Sequence, residues 1–228
     1  GTYYSNTELA TPVGVGTALV IATAAGYQPD TIAYVVQTPT LFINFGSLYT
    51  IGALEQQPNS FAVQTPDYRT SPLAVTLTVL KPSVASITPT SLTIGSGTYY
   101  AQMTVAGLAP GLDTVIASAP GYLPDTSVIR VTTSKFGASG ISSSLTTTSP
   151  PFNVNVYAED SLGTTHYAND SIVVHAVSSD TTVLVPAQAY FPIVKGNYFA
   201  TTTVNVVGPG TASITYSDSA GLGFLPVT

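Results

Sequence analysis

The sequence predicts an all-β protein built as a row of repeated two-sheet sandwiches, and three observations carry that prediction. A block that opens on glycine and two aromatics, and closes on Gly-aromatic-x-Pro, occurs three times. Apolar residues alternate with polar ones at the two-residue period of a half-buried strand. Turn formers punctuate the chain at short intervals, and no stretch holds the 3.6-residue apolar period of an amphipathic helix.

The repeat sets the organisation. The first copy reads GTYYSNTELATPVGVGTALVIATAAGYQPDTIAYVVQT from Gly1, the second GTYYAQMTVAGLAPGLDTVIASAPGYLPDTSVIRVTT from Gly97, and the third GNYFATTTVNVVGPGTASITYSDSAGLGFLPVT from Gly196. The starts lie 96 and 99 positions apart, the length of one small sandwich domain of about 100 residues. The preceding halves also correspond: SPLAVTLTVLKPSVASITPTSLTIGSG stands before the second block and NDSIVVHAVSSDTTVLVPAQAYFPIVKG before the third. Three units follow: 1–40, the C-terminal half of a unit; 41–135, a complete sandwich; and 136–228, a sandwich lacking its last strand.

Within a unit the strands are legible. Leu73, Val75, Leu77 and Val79 alternate with Ala74, Thr76 and Thr78, which gives one face to a core and one to water. Ile172, Val174 and Ala176 do the same one unit later. The segments are rich in β-branched residues and are separated by Gly95-Ser96-Gly97, Ala109-Pro110-Gly111 and Gly208-Pro209-Gly210. Asp30 and Asp125 follow Gly-Tyr-x-Pro in the first two units, where Pro fixes φ and Asp caps the next turn; Val227 stands there in the third.

The run PSVASITPTSLTIGSG…MTVAGLAPGLDTVIASAPGYLPDTSVIRVTT resembles the bacterial immunoglobulin-like domains of invasin- and intimin-type adhesins and of large secreted repeat proteins. The resemblance is clearest over 72–133, looser over 172–228 and partial over 1–38. It implies tandem immunoglobulin-like Greek-key β-sandwiches used as spacer, stalk or adhesive modules outside the cell, with incomplete units at both ends. It implies no catalytic residues.

The ends of the sequence fall inside units. GFLPVT aligns with GYLPDT at 121–126, so the strand that corresponds to Ser127–Thr132 is expected to be missing from the third unit. Such an edge leaves backbone groups unpaired, and something is expected to fill it. Either the remainder of a longer array completes both ends, or a strand donated by another subunit does so and a filament grows.

Composition narrows the functional classes. Only 7% of residues are charged and 44% are apolar, against about 25% charged in an ordinary soluble chain. The surface is therefore hydroxyl-rich and weakly charged, while the chain has ample apolar mass to fold. A net charge of −6 with Arg69, Lys81, Arg130, Lys135 and Lys195 scattered offers no basic patch, which argues against nucleic acid. No apolar run approaches the roughly 20 residues of a membrane helix, and no secretory leader is expected in this segment. With no cysteine, disulfides, Cys-based zinc sites and thiol catalysis are excluded.

Candidate chemistry is sparse. His166 and His175 have no further ligand at metal spacing, and solvent-facing polar roles account for both. Glu159-Asp160 is the adjacent acidic pair that glycoside hydrolysis would suggest, yet EDSLG reads as a turn and neighbours on a strand face opposite ways, so a solvated loop is expected. Glu159, Asp160, Asp170 and Asp180 are hard-oxygen candidates for calcium, but they follow no loop motif. No Gly-x-Ser-x-Gly elbow is present. The pairs Tyr3-Tyr4, Tyr99-Tyr100 and Tyr198-Phe199 place one ring on each strand face, the inner ring in the core and the outer one free for a partner. Asn169-Asp170-Ser171 fits the N-glycosylation pattern, and the hydroxyls of 142–151 suit O-linked sugars.

The expectation is an extracellular or cell-surface structural and adhesive segment, not an enzyme, with no catalytic, cofactor or metal residues. Its partners are expected to be neighbouring repeats or further copies of itself. A glycan- or protein-binding adhesin module, or an accessory domain of a secreted enzyme, is the alternative.

Overall fold

The structure, a computed structural model, describes residues 11–140 and 144–228. Among these the chain is all strand and turn, with no helix. A hairpin comes first, β1 (Gly16–Ala22) and β2 (Asp30–Val36). Nine strands follow: β3 (Phe42–Ile43), β4 (Leu48–Gly52), β5 (Glu55–Gln64), β6 (Leu73–Val79), β7 (Ala85–Thr88), β8 (Ser91–Ile94), β9 (Tyr100–Gly107), β10 (Gly111–Ser118) and β11 (Asp125–Thr132). The last eight are β12 (Lys135–Ser139), β13 (Phe152–Glu159), β14 (Tyr167–Ala168), β15 (Ile172–Ser178), β16 (Leu184–Pro186), β17 (Tyr190–Ile193), β18 (Phe199–Val206) and β19 (Ile214–Asp218).

The middle strands form an immunoglobulin-like β-sandwich. One sheet runs β4-β11-β10-β6-β8, with β4 parallel to β11, and it faces a sheet that runs β3-β5-β9-β7. The alternation read in β6 is real: Leu73, Val75 and Leu77 are buried while Ala74, Thr76 and Thr78 face water. These residues join Leu41, Ile43, Ile51, Val63, Ile87, Ile94, Met103, Val105, Val115, Ile129 and Val131 in one continuous core. Each fully buried aliphatic side chain contributes roughly 1.5–3 kcal/mol relative to exposure.

A second sandwich repeats the plan with sheets β12-β13-β18-β16 and β17-β15-β19. Its core holds Phe136, Val154, Val156, Ile172, Val174, Phe191, Ile193, Val204, Tyr216 and Phe224. The entry to each sandwich is tied to the same point of the repeat: Leu41 N–H donates to Leu123 O and Phe136 N–H to Leu225 O. Hairpin β1–β2 carries the register of β10–β11, for Ala22 stands opposite Asp30 as Ala117 stands opposite Asp125. In β10–β11 those strands bury one face; in β1–β2 Leu19, Ile21, Ile32 and Tyr34 are exposed.

Asp125 does more than the expected capping. Its Oδ1 accepts Thr126 N–H at 2.8 Å, and its Oδ2 accepts Ile43 N–H at 2.7 Å from the opposite sheet. The aromatic pairs differ from expectation. Neither Tyr99-Tyr100 nor Tyr198-Phe199 contributes a ring to a core. Each pair instead joins a surface cluster, with Tyr68 against Tyr99 at 5.1 Å and Tyr167 against Tyr198 at 5.5 Å. The third pair, Tyr3-Tyr4, lies outside the described residues.

Candidate functional site at the joint between the two sandwiches

The turn from β4 to β5 builds the joint. It is held from below by the first sandwich: Ala53 N–H donates to Thr132 O and Leu54 N–H to Gly107 O, both at 2.9 Å. Leu54 has φ of 63°, a conformation that costs a non-glycine residue roughly 1–2 kcal/mol. Its side chain packs against the second core, and the burial offsets that cost. The turn thus reaches out of one sandwich and into the next.

Strand pairing continues across the boundary. A bulge between Gln57 and Phe61, with Asn59 at φ 48°, bends β5. The half before the bulge pairs with β9 on one side and with β14 of the second sandwich on the other, Gln56 opposite Tyr167 and Glu55 opposite Ala168. Asn169 N–H donates to Leu54 O at 2.8 Å and Gln56 Nε2 to Ala168 O at 3.3 Å. Asn169, of the glycosylation triplet, is therefore engaged through its backbone in the joint.

The second sandwich supplies a loop that the first does not have. Val63 and Val156 occupy the same place, each opposite the alanine that follows an aromatic pair, Ala101 and Ala200. Tyr68 lies five positions beyond Val63, whereas Tyr167 lies eleven beyond Val156. The six added residues fall within a tight tip over 160–166. Asp160 Oδ1 accepts Leu162 N–H at 2.8 Å and Thr164 N–H at 2.9 Å, and Gly163 takes the positive φ of 86° that closes the tip.

The tip itself lies in solvent as EDSLG suggested, with Ser161 to Thr165 exposed, but its two ends do not. Asp160 is 1% exposed and His166 3%, because the base of the tip rests on the end of the first sandwich. Ser161 N–H donates to Thr132 Oγ1 at 3.1 Å. His166 stands between the two units: Nδ1 is 3.3 Å from Tyr49 Oη of β4, and Nε2 is 3.4 Å from Asp160 Oδ2. One neutral tautomer satisfies both contacts, with Tyr49 O–H donating to Nδ1 and Nε2–H donating to the carboxylate. Tyr49 is itself wedged against Phe45 and Phe61, at 5.8 and 4.6 Å. The solvent-facing reading of His166 is thus corrected; His175 stacks on its cross-strand neighbour Tyr190 at 4.4 Å.

Glu55 is the deepest charged-type residue of the joint, with no exposed surface. Its Oε2 accepts Gly52 N–H at 2.9 Å, while Oε1 is buried without a hydrogen-bond partner. Burial pushes its carboxyl up to about 8, reinforced by the negative charges of Asp160 and Glu159 and opposed by Gly52 N–H and the Ser134 hydroxyl. Burial also lowers His166, against the pull of Asp160, and raises Tyr49 far above its ordinary range. Glu159, at the rim, is raised by burial and partly held down by Lys135, whose Nζ is 4.0 Å away. Burial thus favours the neutral forms of both Glu55 and His166.

Glycine makes the close approach possible. A Cβ on Gly52 would overlap Ser134 Oγ and Glu55 Oε2, and one on Gly107 would overlap the Gly52 carbonyl oxygen. Ser134, in the connection between the cores, donates to Ala53 O at 2.6 Å.

The sequence reading singled out Glu159, Asp160 and His166 without bringing them together, and it passed over Tyr49, Gly52, Leu54, Glu55 and Ser134. The available signal was the length difference between the repeats. The other acids are turn caps: Asp170 Oδ1 accepts Ser171 N–H and Asp180 Oδ1 accepts Thr182 N–H. Among the described residues no three His, Asp or Glu are placed to hold a metal ion.

No protein-family model and no curated protein matches the chain. Solved structures similar to it include domains 4–9 of the surface layer protein SbsC, at 18% identity and a TM-score of 0.36 over 95% of this chain and 35% of that one. The chain thus spans about a third of that structure. The D0–D1 domains of intimin are similar at 12% identity and a TM-score of 0.32, over 82% of this chain and 93% of theirs. A β-glycosidase from Bacteroides vulgatus is similar at 11% identity and a TM-score of 0.36, over 84% of this chain and 24% of that enzyme.

Proposed function

We propose that the chain is a spacer segment of an extracellular surface or filament protein, in which consecutive sandwiches are locked into a stiff rod. The observation that carries this reading is the joint. Strand pairing runs from β5 into β14, Leu54 of one unit packs against the core of the next, and the Tyr49–His166–Asp160 chain of contacts buries His166 and Asp160 at the boundary. A bead-on-string array has no use for such a junction, because flexible linkers leave their domains unpaired. The same closure argues against catalysis at the acid–base cluster, since a substrate has no access to Glu55, Asp160 or His166.

The units of this reading are 1–40, 41–135 and 136–228, repeated along a longer surface array. Strand sharing between copies belongs to the proposal through hairpin β1–β2, whose apolar residues are exposed on both faces. Concentration-dependent light scattering tests that part: growth in mass supports it, and a constant monomer mass removes it. The spacer role is tested by pulling the tandem in a single-molecule force experiment. Two unfolding peaks, with extension before the first one no greater than a stiff pair allows, support it; slack extension at low force refutes it.

A second reading rests on the aromatic clusters. Tyr157, Tyr198 and Phe199 gather 4.9–6.5 Å apart beside Asn155 and Thr201, a face with rings and uncharged hydrogen-bonding groups suited to a neutral glycan. Binding in a glycan array that is lost in Tyr198→Ala would favour it.

A further inference from the structure

We infer that the joint is a proton-operated latch, closed while Glu55 holds a proton and released in mild alkali, so that the stiffness of the array depends on pH. The inference rests on the spacer reading and adds its regulation.

The geometry gives the reason. Glu55 stands at the start of β5, in the turn that enters the second sandwich, and is wholly buried while the joint is closed. The titratable groups that face it among the described residues come from three strands and the tip. Asp160 and Glu159 come from the end of β13, His166 from the tip before β14, Tyr49 from β4 and Lys135 from β12. The one side-chain cation among them, Lys135, faces Glu159 at the rim. His166 is kept neutral by burial and is already committed to Tyr49 and Asp160.

An ionised Glu55 would therefore be a second buried anion beside Asp160 with no cation among the described residues to balance it, and the donors beside it are Gly52 N–H and the Ser134 hydroxyl, which also donates to Ala53 O. Separation of the two sandwiches returns the carboxylate to water. Opening and loss of the proton are thus linked: each favours the other. Glu55 is pushed up to about 8 when closed and returns to its ordinary 4.5 when solvated. The opening constant therefore rises up to about tenfold per pH unit between those values, on the order of a thousandfold in all, and levels off above about pH 8. Nothing in either core titrates with it, so the sandwiches stay folded while the joint opens.

Amide hydrogen exchange on the intact chain, corrected for the intrinsic pH dependence of exchange, tests the latch. The reporters are the joint amides of Asn169 and Ser161, which donate to Leu54 O and Thr132 Oγ1. Their protection is expected to fall by up to about tenfold per unit from near pH 6.5 to about 8 and then to level, while the amides of Val105 and Val156 do not follow. In Glu55→Gln the joint protection is expected to be flat. In Asp160→Asn, which removes the neighbouring anion, the fall is expected to level at lower pH. Equal slopes in wild type and Glu55→Gln, or joint amides well protected and indifferent to pH, overturn the latch and leave the spacer standing. Joint amides unprotected even near pH 6 overturn the spacer reading, and the latch with it.

Discussion

Replacing Glu55 by Gln is expected to change the slope of stability against pH. In the folded chain Glu55 is pushed up to about 8, against an ordinary 4.5 once unfolded. Between those values the folded state holds a proton that the unfolded state has released, so stability falls as pH rises, by about 1.4 kcal/mol per unit. The contribution is fully present below 4.5 and lost as pH passes about 8. His166 acts in the opposite sense. Its folded value lies below the ordinary 6.5, so it contributes stability that is present above 6.5 and lost on acidification. The Glu55 slope therefore stands alone between about pH 6.5 and 8, where it amounts to roughly 2 kcal/mol. Urea unfolding across that window is expected to show the Glu55→Gln chain gaining about 2 kcal/mol on the wild type. A gap constant to within about 0.5 kcal/mol would refute the buried, uncompensated carboxyl.

Three further substitutions probe the packing. Gly52→Ala forces Cβ against Ser134 Oγ and Glu55 Oε2, and urea unfolding is expected to show a loss of roughly 2 kcal/mol or more; a neutral result would place the turn elsewhere. Leu54→Ala withdraws the side chain packed on the second core and is expected to cost about 1–2 kcal/mol, with faster exchange at Asn169 and unchanged exchange in the first core. Asp125→Ala removes the acceptor of Ile43 N–H and is expected to cost about 1–2 kcal/mol in thermal or urea unfolding.

Much of the fold is legible in the sequence because it rests on local pattern. Leu73, Val75 and Leu77 alternate with polar residues, and β6 buries that face. The shared GYxPD run marks hairpins that do have one register, Ala22 opposite Asp30 and Ala117 opposite Asp125. The joint is not local. EDSLG is a turn whose Ser161, Leu162 and Gly163 face water, as its composition says, but Asp160 is buried because another unit's end lies beneath it, and no property of those five residues encodes that neighbour. Leu54 gives no sign of its positive φ, since the conformation is imposed by hydrogen bonds to Thr132 and Gly107, far along the chain. The aromatic pairs stand at the starts of β9 and β18, where Tyr99 meets Tyr68 and Tyr198 meets Tyr167, while Met103, Val105 and Val204 further along the same strands supply the cores. What the repeat did record was the six-residue excess between Val156 and Tyr167, which is the joint's own sequence mark.

The stiffness of the pair can be measured directly, since the chain has no cysteine and two introduced at exposed strand positions, Thr93→Cys on β8 and Thr201→Cys on β18, take spin labels without ambiguity. Pulsed electron–electron distance measurement near pH 6 is expected to give one narrow distribution, no broader than the labels' own rotamers allow. A broad or multi-peaked distribution under the same conditions would contradict a locked joint.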